Sequence, residues 1–366
     1  MPEGIDPRYF VEAAAKALEV LESFDSPEEE LTASEIARRV GISYSSAFRL
    51  LYTLEKRGYV MRRPGSRKYR YTPAHRRFRL GYAALDNRAV FSDAICRSMV
   101  LASRKAGIEL VVRDNELSPQ KALANVDILI EQKINLLIEY QRDESVAHLI
   151  AAKCHDAKIP VISINFAQPG AYYFGGNNSL AGQLAGGFLC EHAKENWQGK
   201  VDKVLLLPAE GMGSTQEVRL AGILDSLTKG LRVIRKSDVI IAPAGFTAQD
   251  GYRETKRVLQ DIRKKSPRIL VAALSDFLAM GASRVAEKMG LANSVAVVGT
   301  GAARDARSFI KRGGPFRASV AYFPESYGER VIALAIRILA GEKVPLVTYT
   351  NHVVLTSSNL ERYYPP

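Results

Sequence analysis

The sequence predicts an α/β protein in which a small winged helix-turn-helix domain precedes a two-lobed core of doubly wound parallel sheets. Two observations predict this division. Residues 38–79 hold thirteen Lys or Arg and one acid, a net charge of +12, which equals the net charge of the whole 366-residue chain. From Phe78 onward, apolar strands alternate with helical stretches, which is typical of parallel α/β sheets. We therefore expect domains at 1–72 and 78–366, joined by a linker at 73–77.

The amino-terminal domain begins with three predicted helices. Residues 9–24 carry apolar side chains at helical spacing, which indicates an amphipathic helix. Thr32 and Glu35 form a capping box that starts a second helix. Ser43 then caps a third helix at 44–57, on which an apolar stripe lies opposite a polar face. Two helices joined by so short a turn are typical of a helix-turn-helix.

A basic hairpin follows the third helix. Strands are predicted at 59–62 and 68–72, around the turn Pro64-Gly65-Ser66. The hairpin carries five Lys or Arg side chains, which suit the phosphates beside a DNA-reading helix. Helix and hairpin together predict a DNA-binding winged helix. The alternative is a winged helix that makes only protein contacts.

A family resemblance covers residues 8 to about 75 and is carried by LTASEIARRVGISYSSAFRLLYTLEKRGYVMRRPGSRKYRYTP. This segment resembles the winged helix of the IclR family of bacterial transcription regulators, which implies binding to double-stranded operator DNA. The start of the third helix can reach base edges, whereas the wing meets the DNA backbone. The expected DNA-binding residues are Ser43, Tyr44, Ser45, Ser46 and Arg49 on the helix, and Arg62, Arg63, Arg67 and Lys68 on the wing. For Arg49, a phosphate contact and base readout are equal alternatives.

The carboxy-terminal part carries the strand and helix alternation. Nine or ten strands indicate two sheets with a cleft between them, and ligands bind at the carboxyl ends of such strands. Strands are predicted at 78–84, 109–113, 136–139, 160–164, 204–207, 239–242, 269–273, 295–298 and 318–321. The glycine pair Gly299-Thr300-Gly301 lacks the third glycine of a dinucleotide-binding loop, because Arg304 stands there. No phosphate-binding loop or serine nucleophile motif appears either.

A second resemblance runs from about 78 to 357. Its carriers, in order, are ALDN, IPVISIN, GGNNSLAG, GSTQEVRLAGI, LSDFLAMGA, VAVVGTG and ASVAYFPESYGE. They resemble the periplasmic-binding-protein type I fold, the family of ribose-binding protein and of LacI-family effector domains. The resemblance implies an N-terminal lobe at about 78–176 and 323–344. It implies a C-terminal lobe at about 177–322 and 345–366, with the ligand between the lobes.

The resemblance also implies a set of ligand-binding positions near the strand ends. They are Asn87, Phe91, Tyr140, Asn165, Phe166, Glu217, Ser275, Thr300 and Tyr322. Several depart from the sugar-binding pattern: Asn165-Phe166 stand where the family has Asp-Arg, and Glu217 stands where an Arg is common. The set is polar, nearly uncharged and partly aromatic, which suits a neutral carbohydrate or polyol.

The expected function is that of a ligand-responsive bacterial transcription regulator rather than an enzyme. The three cysteines are scattered, and no Cys/His group has zinc-ligand spacing, so neither a metal nor a cofactor is expected. Two alternatives stay open. The chain could be a dimeric DNA-binding scaffold without a ligand, or an enzyme that acts on a sugar.

Partners and location follow from the same features. A homodimer is expected because paired recognition helices read pseudo-palindromic DNA. The amino terminus lacks a secretion-signal pattern, and no apolar run approaches a membrane span, so we expect a cytoplasmic protein without a membrane partner. The five-residue linker at 73–77 is too short for a hinge helix, which predicts stiff coupling between the domains.

Overall fold

The structure is a computed structural model that describes residues 9–26, 29–62, 65–71, 78–210, 213–231, 235–262 and 267–365. Arg63 of the predicted wing and the predicted linker at 73–77 lie outside the described residues. Residue contacts divide the chain into two units. The first unit contains the residues up to Arg79 together with Gly107–Glu109 and Leu334–Val344, and the second contains the rest of the core.

The amino-terminal domain is built from three helices and three short strands. They are α1 (Glu12–Glu22), β1 (Glu30–Thr32), α2 (Ala33–Val40), α3 (Tyr44–Lys56), β2 (Val60–Arg62) and β3 (Lys68–Tyr71). The capping box is present as predicted: Glu35 N donates to Thr32 Oγ1 at 3.3 Å, and Thr32 N donates to the Glu35 carboxylate at 2.7 Å. Gly41, at φ 69°, ends α2 in the left-handed region that favours glycine.

The wing is a three-stranded antiparallel sheet in the order β1-β3-β2. Strand β1 was not expected, because its residues follow a polar break and lack a strand pattern of their own. Pairing creates it: Glu30 lies opposite Arg70 and Leu31 opposite Tyr69. Leu31 and Tyr69 are buried in the core of this domain, so the third strand anchors the hairpin to the helices.

The core contains twelve strands and ten helices within the described residues. Its strands are β4 (Arg79–Ala84), β5 (Glu109–Asp114), β6 (Leu136–Glu139), β7 (Val161–Ile164), β8 (Tyr172–Gly176), β9 (Lys203–Leu207), β10 (Val239–Ile241), β11 (Ile269–Ala273), β12 (Val295–Gly301), β13 (Phe316–Ala321), β14 (Val347–Thr350) and β15 (Val353–Thr356). One sheet has the order β14-β8-β7-β6-β4-β5 and the other β10-β9-β11-β12-β13-β15. The predicted pair of doubly wound sheets is confirmed.

Helices cover the sheets and carry the chain from one parallel strand to the next. They are α4 (Val90–Lys105), α5 (Pro119–Glu131), α6 (Glu144–Asp156), α7 (Asn178–Trp197), α8 (Ser214–Gly230), α9 (Ala248–Asp261), α10 (Asp276–Lys288), α11 (Arg304–Arg312), α12 (Tyr327–Leu339) and α13 (Leu360–Tyr363). In the described part of the chain, none of the helices combines the length and apolar character that a bilayer crossing requires.

Helices α7 and α8 pack unusually closely. A Cβ added to Gly182 would lie 2.1 Å from the carbonyl oxygen of Arg219, and one added to Gly222 would lie 2.5 Å from that of Ser179. Only glycine permits this backbone approach. Arg219 of α8 then lies against Asn178 at the start of α7, and its Nη2 donates to Asn178 Oδ1 at 2.6 Å.

Candidate functional site

The first candidate surface is the amino-terminal half of α3. The predicted DNA-binding residues Ser43, Tyr44, Ser45, Ser46 and Arg49 are all exposed, while Ala47 and Leu51 of the same helix are buried. Ser43 caps the helix by accepting a hydrogen bond from Ser46 N at 3.2 Å. The helix therefore turns its small polar and basic side chains outward together.

An exposed aromatic pair on α3 was not anticipated. Tyr44 and Phe48 are 58% and 41% exposed, and their rings stack with centroids 6.3 Å apart. The spacing of four residues, which places two side chains on one helix face, was the available signal. Phe48 thus adds an exposed aromatic ring between Ser46 and Arg49 of the predicted surface.

The wing adds exposed cations beside this helix. Arg62, Arg67 and Lys68 are exposed, and Arg62 Nε donates to the carbonyl oxygen of Ser66 at 3.0 Å. Within the described residues, no ion pair involves Arg49, Arg67 or Lys68. The hydrogen bonds from Thr32 and, to a smaller extent, the charge of Lys68 lower the pKa of Glu35, so Lys68 has an acidic neighbour. Arg49 and Arg67 have no ion-pair partner on the described chain and are available to phosphate.

Two other basic side chains of the charged stretch have internal roles. The Arg39 guanidinium lies 2.7 Å from the Glu29 carboxylate and holds the pKa of Glu29 below its ordinary value. Arg70 Nη2 donates to the carbonyl oxygen of Ala340, in the same structural unit, at 3.2 Å. The local charge is thus only partly available for DNA.

The second candidate site lies where the core strands end. Asn87 follows β4, Tyr140 follows β6, Asn165 and Phe166 follow β7, Ser275 follows β11, Thr300 lies near the end of β12, and Tyr322 follows β13. Phe91 begins α4 and Glu217 lies in the first turn of α8. Carboxyl ends of neighbouring parallel strands share one edge of a sheet, which is the edge where such folds bind ligands.

An aromatic cluster joins three of the predicted residues. The Phe91 ring meets Tyr322 and Tyr327 edge-on, at centroid distances of 6.3 and 6.2 Å. The Tyr327 hydroxyl donates to Asn165 Oδ1 at 3.0 Å. Phe91, Asn165 and Tyr322 are therefore brought together through Tyr327, a residue that the sequence analysis did not single out.

Asn165 has a structural role as well. It occupies the left-handed region at φ 57°, and its Oδ1 also accepts a hydrogen bond from Gly176 N at 3.2 Å. Burial raises the pKa of Tyr140, whose hydroxyl is hydrogen-bonded to the Asn165 side chain. The side chain of Asn165 is therefore held by Tyr327, Gly176 and Tyr140, which fixes its orientation at the end of β7.

Arg219 provides a fixed positive charge beside this cluster. The residue is 8% exposed, and its guanidinium donates to Asn178 Oδ1 through Nη2 at 2.6 Å and to the carbonyl oxygen of Leu274 through Nη1 at 3.3 Å. It also lies 5.2 Å from the ring centroid of Tyr322, whose hydroxyl donates to Asn178 Oδ1 at 3.2 Å. These partners hold the arginine in one position.

His352 connects the segments that cross between the two sheets. Its Nε2 accepts a hydrogen bond from Asn177 N at 2.9 Å, and its Nδ1 donates to the carbonyl oxygen of Ala321 at 3.1 Å. The ring also contacts Tyr322, at a centroid distance of 4.3 Å. This pairing requires the neutral tautomer with the proton on Nδ1, and burial lowers the pKa of His352 in agreement with it.

Two predicted ligand-binding residues of the second sheet, Ser275 and Thr300, use their side-chain hydroxyls in hydrogen bonds to nearby backbone atoms. Ser275 caps α10 by accepting from Phe277 N at 3.2 Å, and Thr300 Oγ1 donates to the carbonyl oxygen of Ala273 at 3.3 Å. Among the described residues, no hydrogen bond or ring contact joins the exposed Glu217 or the buried Phe166 to the aromatic cluster. Seven of the nine predicted positions therefore lie at or just after strand ends, Phe91 and Glu217 lie on helices, and the nine do not form one continuous network.

One contact spans the two sheets and was missed by the sequence analysis. The Arg142 guanidinium, after β6, lies 5.5 Å from the ring centroid of Phe246, between β10 and α9. Phe246 is 46% exposed. Its signal was an aromatic residue after a strand and immediately before the capping box of Thr247 and Asp250.

Several buried side-chain atoms without hydrogen-bond partners also lie just after the strands of the first sheet. Within the described residues, Asn87 Oδ1, Gln141 Nε2 and both polar atoms of the Gln168 side chain are buried without a hydrogen bond. Buried polar groups normally have partners. A cavity of about 140 Å³ adjoins Gln141 and is lined by Leu85, Asn115, Leu117, Ser118, Pro119, Gln141, Arg142 and Asp143. None of the nine predicted ligand residues lines it.

Comparisons with known families match both parts of the chain. The model described as an IclR helix-turn-helix domain matches residues 13–64, and the model described as a periplasmic binding protein domain matches residues 84–343. Both predicted resemblances are confirmed. No group of three or more His, Cys, Asp or Glu in the described residues could hold a metal ion.

Individual relatives match the core. The ribose import binding protein of Salmonella typhimurium is 29% identical over 244 residues, 66% of this chain and 77% of that protein. A solute binding protein from Bacillus halodurans, solved with myo-inositol, has a TM-score of 0.67 at 20% identity, covering 78% of this chain and 97% of that one. One from Actinobacillus succinogenes, solved with D-allose, has a TM-score of 0.67 at 19% identity, covering 78% and 100%.

Proposed function

Because the chain belongs to the periplasmic-binding-protein domain family and carries an IclR helix-turn-helix domain, we propose that it is a ligand-responsive bacterial transcription regulator. The winged helix binds double-stranded operator DNA, and the core binds a small neutral polar effector, a sugar or polyol. We place the protein in the cytoplasm, where operator DNA is accessible. The union of these two modules in one chain carries the proposal.

The DNA-binding half is supported by the exposed face of α3. Ser45 and Arg49 are accessible on a helix whose opposite face is buried, and the neighbouring Arg67 and Lys68 make no ion pair among the described residues. Such a helix enters a major groove while the wing cations neutralise phosphates. Tyr44 and Phe48 add apolar surface that can meet a thymine methyl group.

The effector half is supported by the chemistry at the strand ends. Aromatic faces, amides and hydroxyls predominate there, and the charge of Arg219 is already hydrogen-bonded to Asn178 and Leu274. The unpartnered Nε2 of Gln141 and the unpartnered amide group of Gln168 would gain partners from a polyhydroxylated ligand. The relatives' names and ligands, ribose, myo-inositol and D-allose, belong to the same chemical class.

We further propose a homodimer. Reading a two-fold symmetric operator requires two recognition helices. Helix α4 presents Leu101, which is 70% exposed, and Val90, which is 56% exposed. A mass of about twice 40.3 kDa by light scattering is the expected result, and a monomer at micromolar concentration would contradict this part of the proposal.

The experiment is a binding screen on the full chain. Thermal shift and calorimetry with ribose, myo-inositol and D-allose should give saturable binding for at least one compound, and mass spectrometry of co-purified molecules extends the search. Phe246→Ala should weaken that binding by about 1–3 kcal/mol, as for loss of an aromatic contact. Phe48→Ala, an exposed aromatic on α3, is the matched control and should leave it unchanged.

The other readings make different predictions. Absence of any saturable sugar or polyol would favour a dimeric scaffold that binds DNA without an effector. Chemical conversion of a bound sugar would favour the enzyme. Neither result would bear on the proposal that the winged helix binds operator DNA.

A further inference from the structure

A second cavity lies in the other half of the core, away from the candidate ligand site. Its volume is about 440 Å³, and it is lined by His192, Asn196, Trp197, Arg268, Asn293, Ser294 and Arg317. Arg268 directly precedes β11, Ser294 directly precedes β12, and Arg317 is the second residue of β13. The cavity therefore lies at the amino ends of these strands, whereas the candidate ligand site lies at their carboxyl ends.

The environment of Arg317 gives the first reason to expect a ligand in this cavity. Its side chain is partly buried, and its Nε is buried without a hydrogen-bond partner. Burial lowers the pKa of Arg317, with no carboxylate to oppose that effect. A partly buried guanidinium whose Nε lacks an acceptor costs free energy, and an anion beside its positive charge would offset part of that cost.

Arg268 places a second guanidinium in the same cavity. Its Nη1 donates to the carbonyl oxygen of Trp197 at 2.9 Å, and its backbone N donates to Asp202 Oδ2 at 2.8 Å. These contacts fix the side chain at the end of α7. No ion pair in the described part of the chain neutralises the guanidinium of Arg268 or that of Arg317, so two like charges share one cavity.

The remaining lining groups are neutral, and the described contacts leave hydrogen-bond donors on His192, Asn293 and Ser294 for a ligand. Asn196 Nδ2 already donates to two atoms of His192, and Trp197 Nε1 donates to the carbonyl oxygen of Asn293. Asn196 Nδ2 lies 3.3 Å from His192 Nδ1 and must donate to it, so the proton of the neutral imidazole is on Nε2. Burial and the nearby Arg317 lower the pKa of His192 to about 4, which keeps the ring neutral at pH 7. The Ser294 hydroxyl and the Asn293 amide complete a wall that carries no negative charge.

We propose that this cavity binds a phosphoryl group, held by the guanidinium groups of Arg268 and Arg317 with neutral donors around them. Planar guanidinium groups match the tetrahedral oxygens of phosphate in paired hydrogen bonds. The phosphoryl group can come from inorganic phosphate or from a phosphorylated metabolite. The site is independent of the sugar site, so either proposal can fail alone.

Trp197 reports directly on this cavity, because it lines the cavity and is the only tryptophan of the chain. The full-length protein is titrated with inorganic phosphate at constant ionic strength while tryptophan emission is recorded. A saturable change is expected. Arg317→Gln should raise the midpoint about tenfold or more, as for loss of one charge-assisted contact.

Arg257→Gln is the matched control. Arg257 is exposed on α9, in the same half of the core, and lies 3.1 Å from Glu254. Its removal changes the net charge equally and should leave the phosphate midpoint unchanged. A cooperative thermal melting transition in both variants establishes that they are folded.

A second variant covers the case in which Arg317→Gln does not fold. Ser294→Asp places a carboxylate beside the two guanidinium groups, so it should raise the melting temperature and abolish the phosphate response. A melting temperature that falls together with an unchanged phosphate midpoint would contradict the proposal.

The ligand series separates the sources of the phosphoryl group. Ribose 5-phosphate binding more tightly than inorganic phosphate would identify a phosphorylated metabolite, and equal midpoints would identify phosphate itself. The proposal is overturned if phosphate and ribose 5-phosphate give no saturable response, or if Arg317→Gln responds as the wild type does. Binding of polyglutamate alone would overturn it too, because it would indicate an acidic macromolecular partner.

Discussion

Arg49 stands on the exposed face of α3, one turn beyond Ser45 and Ser46. Arg49→Ala should reduce operator affinity by about 1–3 kcal/mol, the usual worth of a specific arginine contact. Fluorescence anisotropy on an operator selected from genomic DNA measures the loss. Arg57→Ala, at the end of the same helix, removes the same charge and should have a smaller effect.

The comparison with random DNA separates the two roles that Arg49 could have. A larger loss on the operator than on random duplex indicates base readout, whereas equal losses indicate a phosphate contact. Unchanged affinity on both duplexes would remove Arg49 from the interface.

Asp276 makes a prediction about pH. Its buried carboxylate accepts from Ser319 Oγ and Ala303 N, both at 2.6 Å, and burial raises its pKa from 3.8 to about 6. Because the folded pKa lies above the unfolded one, the stabilisation is complete below about pH 4 and is lost as pH rises through 6. Relative to Asp276→Asn, the wild type should lose about 1 kcal/mol of unfolding free energy between pH 5 and 7.5.

Urea denaturation of both proteins across that pH range provides the measurement. Taking the difference between them cancels other titrating groups, including His192, whose lowered pKa acts in the opposite direction. A difference that does not vary with pH would show that Asp276 does not hold a proton in the folded protein.

For single residues, the sequence predicts where a side chain lies in the fold better than it predicts the hydrogen-bond partners of that side chain. Asn165 and Tyr322 could be placed at strand ends from the apolar runs before them. Their bonds to Tyr327 and Asn178 could not, because those partners lie on segments 162 and 144 residues away in the chain. Phe246 was missed for a related reason: its role depends on Arg142, which belongs to the opposite sheet.

Glycine substitutions on α7 test how closely this helix packs against α8. Gly182→Ala would place a Cβ 2.1 Å from a backbone oxygen, whereas a Cβ on Gly187 of the same helix meets nothing within 4 Å. The first change should destabilise the protein by about 1–3 kcal/mol or more through overpacking. The second should be neutral or should stabilise it by up to about 1 kcal/mol through helix propensity.

Both values are read from chemical denaturation of the two variants. Gly182→Ala should also weaken sugar binding, because it shifts the backbone that carries Arg219. Equal stabilities for the two variants would mean that the helices are not in such close contact.

The wing makes a prediction about salt. Replacing Arg67 and Lys68 together by Ala should weaken binding to all duplexes alike. It should lower the slope of log affinity against log salt by about 2, since each phosphate contact contributes about 0.9. The control pair, Lys311→Ala and Arg312→Ala on α11, removes the same charge from the core. An unchanged slope in the wing variant would show that these residues do not contact phosphate.

Elements with a pattern of their own could be predicted, and those created by pairing could not. The interior strands β6, β9, β11 and β12 were apparent from their apolar runs. Strands β1, β8, β14 and β15 were missed, since they are short or polar, or end in glycine. Each is defined by the neighbour with which it pairs.

For the whole molecule, the sequence supported a division into a winged-helix domain and an α/β core. The net charge of +12 within residues 38–79 and the change in pattern at Phe78 both indicated it. The coupling between the two parts could not be read in this way. Coupling depends on how strongly an effector prefers one core conformation over another, which is a free-energy difference and not a sequence pattern.

In the proposed mechanism, effector binding in the core changes the affinity of the winged helix for DNA. The direct measurement is the operator affinity of the full-length protein, with and without a saturating sugar or polyol that calorimetry has shown to bind. We expect the operator affinity to change by about 5- to 150-fold, which corresponds to a coupling free energy of about 1–3 kcal/mol. A sugar that binds tightly while operator affinity stays constant would contradict it.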